Sequence, residues 1–147
     1  MEQIYPYVQI VHLICAIIFL GYIFFDVVIF MRLKGTLGAD FERVKKAIGS
    51  RAIKIMPVCL FTLIITGGMM MSRWVGSANG GYFGTPLQKI FMLKVALALI
   101  IAVCVAINLS CRALGRPAPE FLRVNIHKIA FVFGFIIVLC AKLMFVV

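Results

Sequence analysis

Charge is scarce in this chain, and acid scarcest of all. Charged residues make up 14% of the sequence, with 5 Asp and Glu against 15 Lys and Arg, while 64% of residues are hydrophobic. That balance lies far outside the range of a soluble domain and is typical of a membrane-embedded chain. There is no C-x-x-C and no cysteine spacing in the loops that would make a disulfide framework, so the 5 cysteines read as small buried hydrophobes. No nucleotide, flavin or quinone motif is visible, no internal repeat, and no period-2 alternation of the kind a membrane barrel requires.

Long apolar runs are what the sequence does have. Four of them stand out, at about 6–32, 53–72, 88–111 and 122–147, each long enough to cross about 30 Å of hydrocarbon at 1.5 Å per residue. The expectation is an all-α fold, a transmembrane four-helix bundle forming one integral membrane domain over 1–147. The first run is too long, and too charged at its far end, for a cleaved signal peptide, so it counts as the first helix. "RLKGTLGADFERVKKAIGSR", "SRWVGSANGGYFGTP" and "SCRALGRPAPEF" carry the breakers and read as connections. Within the first, residues 40–54 read as a short interfacial helix.

The net charge of +10 is a matter of topology. Arg32, Lys34, Arg43, Lys45, Lys46, Arg51 and Lys54 crowd the first connection, and Arg112, Arg116, Arg123 and Lys128 the third. By the positive-inside rule both face the cytoplasm, which puts the Gly-rich second connection and both termini in the periplasm of a bacterial inner membrane. The partner implied is the lipid bilayer, not nucleic acid. A homodimer through Gly67 and Gly68 or through Gly134 is compatible with the sequence, although no true G-x-x-x-G is present.

Polar groups at membrane depth are costly and therefore informative. His12 lies about a turn inside the outer surface, and the same layer receives Met69, Met70 and Met71, Met92 and Lys94, and Lys142 and Met144. The inner layer receives Asp26, Cys59, Arg123, Asn125 and His127. The two histidines thus stand on opposite sides and cannot share one iron within a chain. At about 100° per residue, His12, Cys15, Phe19 and Asp26 share one face of the first helix, and Thr62, Thr66 and Met69 form a stripe on the second.

Each residue also has a plainer use. A lone His in a transmembrane helix serves to hydrogen-bond a neighbouring helix, a Met triplet packs, Lys94 and Lys142 snorkel to the interface, and Asp26 forms an internal ion pair with Arg123 or His127. Yet His12 with methionines makes a soft donor set for copper, and ammonium groups at the same depth suit an anionic ligand better than a cation. Heme b answers both, since its iron accepts imidazole and its propionates want cations. Met69 or its neighbours, or His12 of a second protomer, would then supply the second axial ligand.

Several stretches carry a resemblance. "HLICAIIFLGYIFFDVVIFMR", a Lys in "FMLKVALALI", and "FLRVN" leading through "NIHKIAFVFGFIIVLCAK" to a Lys seventeen residues after the Asn resemble the HemJ-type protoporphyrinogen oxidases. These are small membrane bundles associated with heme b. The resemblance implies an oxidoreductase acting on a porphyrinogen, with His12 as heme ligand and Lys94, Arg123, Asn125 and Lys142 as functional polar positions. Asp26 joins Arg123 and Asn125 as a candidate catalytic group. "YFGTPLQKIFMLKVALALIIAVCVAIN" is similar to the membrane domain of CopD-type copper-resistance proteins, which implies copper handling instead. A third possibility is an accessory membrane subunit that binds no cofactor.

Overall fold

The computed structural model describes residues 3–77 and 80–146. It is helical almost throughout, and its chain order is α1 (Tyr5–Phe24), a π-helical turn (Phe25–Ile29), a 3-10 turn (Phe30–Leu33), α2 (Lys34–Leu37), a second 3-10 turn (Gly38–Asp40), α3 (Phe41–Trp74), α4 (Pro86–Ala113) and α5 (Glu120–Leu143). Pro6 opens α1, where its missing N–H would have had no helical partner anyway. A capping box opens α4: the Thr85 side chain accepts from the Gln88 N–H, and Gln88 Oε1 accepts from the Thr85 N–H.

The expected four-helix bundle is corrected here. Among the described residues three helices are long and apolar enough to cross a membrane, namely Tyr5–Trp74, Pro86–Ala113 and Glu120–Leu143. The runs at 6–32 and 53–72 are parts of one uninterrupted helical stretch. Gly35, Gly38 and Asp40 read as loop breakers, but the chain stays helical past them by changing pitch. In the wide turn the Phe30 N–H reaches back to the carbonyls of Phe25 and Asp26, and the tight turns that follow shorten the reach again. Gly38, at φ 50°, is the point where the left-handed region is needed. The expected interfacial helix at 40–54 is likewise continuous with α3, and Val147, the end of the last predicted run, lies outside the described residues.

Two compact units divide the chain, Met1–Thr66 and Gly67–Val147. In the first, Phe30 is 2% exposed and its ring stacks on Phe41 at 5.0 Å and on Phe25 at 6.2 Å. This aromatic knot closes the turn, and the two helices beyond it are joined by a hydrogen bond between His12 of α1 and Thr66 of α3. Arg32, Lys34, Arg43, Lys45, Lys46, Arg51 and Lys54 are exposed around it, with Lys45 Nζ over the Phe41 ring and Arg43 paired to Asp40. Pro57 interrupts the ladder of α3 by withholding the N–H that the Ile53 carbonyl would accept.

In the second unit α4 and α5 pack along their lengths. One end is sealed by Val75, Phe91 and Met144, with Met71, Trp74, Leu87 and Met92 around them, and the Trp74 ring meets Phe145 edge-on at 5.6 Å. Gly76 and Gly81 exchange both backbone hydrogen bonds, and Gly76, Gly80 and Gly81 all have positive φ, which explains the glycines of that connection.

Apolar side chains face outward over most of both units. Ile17, Phe61, Val103 and Phe135 each stand more than half exposed. A soluble protein does not tolerate that much open apolar surface, whereas hydrocarbon is its natural neighbour. The chain is a membrane protein.

Candidate functional site

His12 sits half-buried on α1 and meets α3. Its Nδ1 lies 2.7 Å from Thr66 Oγ1, and Thr66 is itself 7% exposed. The Thr66 hydroxyl has one proton, which it donates to the Thr62 carbonyl at 2.7 Å, with Leu63 O at 3.4 Å sharing it. Back-bonding of this kind is how Thr satisfies itself within a membrane helix, and Thr62 does the same to Val58 O at 2.9 Å. With the Thr66 hydroxyl proton on the Thr62 carbonyl, the His12 contact is one in which Nδ1–H donates and Thr66 Oγ1 accepts. A contact of this kind orients a histidine ring for ligation.

Cys15, half-buried one turn further along α1, and Cys59, buried on α3, are within electrostatic reach of each other. Both are free thiols. Sequence reasoning treated these two as unrelated packing residues, because nothing in a single sequence sets the register between helices joined by so long a turn. The shared face of His12, Cys15 and Phe19 was the available signal.

Asp26 occupies the π-helical turn, a type of distortion frequent at functional sites. It is half-buried and acts electrostatically on Tyr22, one turn before it.

The remaining candidates belong to the second unit. Lys94 is half-buried on α4, with Nζ 4.6 Å from the centre of the Phe91 ring and Cys140 of α5 within electrostatic reach. It is held by a ring face as well as by solvent. Lys142 is exposed near the end of α5. Met69 is 47% exposed, whereas Met71, Met92 and Met144 converge on the Val75–Phe91 cluster. Arg123 is exposed, and Asn125 Nδ2 donates to the Phe121 carbonyl of its own helix at 3.1 Å. His127 is half-buried on α5.

The candidate set is thus divided between the units, with His12 and Asp26 in the first and Met69, Lys94, Arg123, Asn125 and Lys142 in the second. Among the described residues no group of three or more His, Cys, Asp and Glu side chains could hold a metal ion. A closed tetrahedral centre of the zinc type has no ligand set here. Heme makes a smaller demand on the protein, because the porphyrin supplies four ligands and the chain needs to give only an axial one. No protein family, curated protein or solved structure matches the chain.

Proposed function

We propose that this chain is a heme-b-binding protein of a bacterial inner membrane, with His12 as axial ligand and an oxidoreductase role resembling that of the HemJ-type protoporphyrinogen oxidases. One observation carries the reading: His12 meets the Thr66 hydroxyl through Nδ1 at 2.7 Å, the kind of outer-shell contact that orients a ligating histidine. Heme, when bound, supplies one-electron redox chemistry. Thr66 would fix the imidazole, and the second unit would offer Lys94 and Lys142 as cations for propionates and Met69 as a further ligand. Asp26 would carry a proton, and Arg123 and Asn125 would be polar positions for the porphyrinogen.

The basic turn around Phe30 and Phe41 faces the cytoplasm in this reading, and the start of α1 and the Gly-rich connection face the periplasm. Copper is the second reading, favoured by the convergence of Met71, Met92 and Met144. The ammonium of Lys94, seated on the ring of Phe91 in that same cluster, weighs against a bound cation and for an anionic ligand.

The experiment is an absorption spectrum of the full chain purified from membranes in mild detergent. A Soret band with a matching pyridine hemochromogen supports heme. A colourless protein that retains Cu(I) overturns it in favour of copper, and a colourless protein that retains neither is an accessory subunit.

A further inference from the structure

The first unit gathers its charge in one place. Between Ile29 and Ile55 the chain holds seven Lys and Arg against Asp40 and Glu42, and all seven basic side chains are exposed. Asp40 is taken by Arg43 at 3.1 Å, and Lys45 Nζ lies over the Phe41 ring. Among the described residues no carboxylate pairs with Arg32, Lys34, Lys46, Arg51 or Lys54.

This charge lies where the open apolar surface begins. Ile55, Val58 and Phe61 follow Lys54 along α3 and stand more than half exposed, as side chains bathed in hydrocarbon do. On the other side of the turn Met31 and Leu33 alternate with Arg32 and Lys34, and all four are exposed. From Lys54 back to Arg43 the helix rises roughly 16 Å at 1.5 Å per residue, enough to cross a headgroup layer of about 5–8 Å. At about 100° per residue Arg43, Lys46 and Lys54 fall on one side of α3, with Phe41 and Ile48 on the other. Phe41 is buried and Ile48 half-buried, so the basic stripe faces away from the protein.

A cationic stripe that starts at the edge of the hydrocarbon meets lipid phosphates before any soluble polyanion. We propose that the basic turn is a binding surface for the headgroups of anionic phospholipids, with Arg43, Lys46 and Lys54 as its principal contacts. Guanidinium and ammonium groups donate charge-assisted hydrogen bonds to phosphate oxygens, and their aliphatic stems lie along apolar surface while the charged ends reach outward. An anionic headgroup supplies the negative charge that Asp40 and Glu42 are too few to give.

The inference goes beyond the heme reading and stands without it, because lipid selectivity is read whether or not a Soret band is present. The full chain, reconstituted in phosphatidylcholine bilayers, receives a trace of spin-labelled phosphatidylglycerol or spin-labelled phosphatidylcholine. The motionally restricted fraction of each in the electron spin resonance spectrum gives their relative association. Phosphatidylglycerol should associate about fivefold more strongly at low salt, the worth of one basic residue at an anionic surface. The preference should fall toward equality at about 1 M salt, where the Debye length is about 3 Å, and inorganic phosphate at matched ionic strength should leave it unchanged. Arg43→Gln, Lys46→Gln and Lys54→Gln combined should remove most of it, whereas the charge-keeping set Arg43→Lys, Lys46→Arg and Lys54→Arg should retain it. Equal association of the two lipids with the wild type, or a preference that free phosphate abolishes, overturns the proposal. So does a preference that survives in full in the triple Gln variant, or one lost instead on Arg112→Gln with Arg116→Gln.

Discussion

His12 Nδ1 and Thr66 Oγ1 share a hydrogen bond of 2.7 Å, which joins α1 to α3 and holds the imidazole in place. Removing the Thr66 hydroxyl should therefore loosen the ligand without removing it. Thr66→Val should lower heme affinity about 10- to 100-fold, as loss of an outer-shell partner commonly does, and Thr66→Ser should restore most of it. A heme titration followed at the Soret band gives both numbers, and wild-type affinity in Thr66→Val would mean that the bond is structural only.

Asp26 makes a different prediction, because its place is a π-helical turn and not a ligand position. Asp26→Asn should leave the heme spectrum unchanged and slow porphyrinogen oxidation about 10²-fold, the low end for losing a positioned proton carrier. The two readouts separate roles: a bleached spectrum would make Asp26 part of the heme pocket.

Phe30 tests the fold. It is 2% exposed and stacked on Phe41 at 5.0 Å, so Phe30→Ala opens a cavity at the turn between α1 and α3. A loss of about 3 kcal/mol is expected, measured by denaturant titration in micelles. The exposed Phe61, 65% open, should cost far less on the same substitution.

Single-cysteine labelling tests orientation. In a chain stripped of its native cysteines, a thiol at Thr36 in the basic turn should react only from the cytoplasmic side, and one at Tyr82 only from the periplasmic side. Reversed labelling would overturn the assignment of layers.

What could be read from the sequence was hydropathy and depth. The apolar runs at 88–111 and 122–147 correspond to α4 and α5, because long apolar stretches leave the backbone no choice but helix in lipid. The join between α1 and α3 was not legible. Gly35, Gly38 and Asp40 carry every mark of a loop, and only the pitch changes of the π and 3-10 turns show how a helical chain absorbs them. His12 stood out because a titratable group is expensive there, but its partner did not, since Thr66 looks like any small residue in an apolar run. Met69 and Met71 differ in burial although the sequence treats them alike: two residues on a helix are about 200° apart, so one turns inward and the other outward.

The central claim is that His12 holds the iron. Heme content per chain, measured by pyridine hemochromogen on purified wild type, His12→Ala and His127→Ala, tests it most directly. The account predicts heme in the wild type and in His127→Ala and none in His12→Ala; a full heme complement in His12→Ala, or its loss in His127→Ala alone, would contradict it.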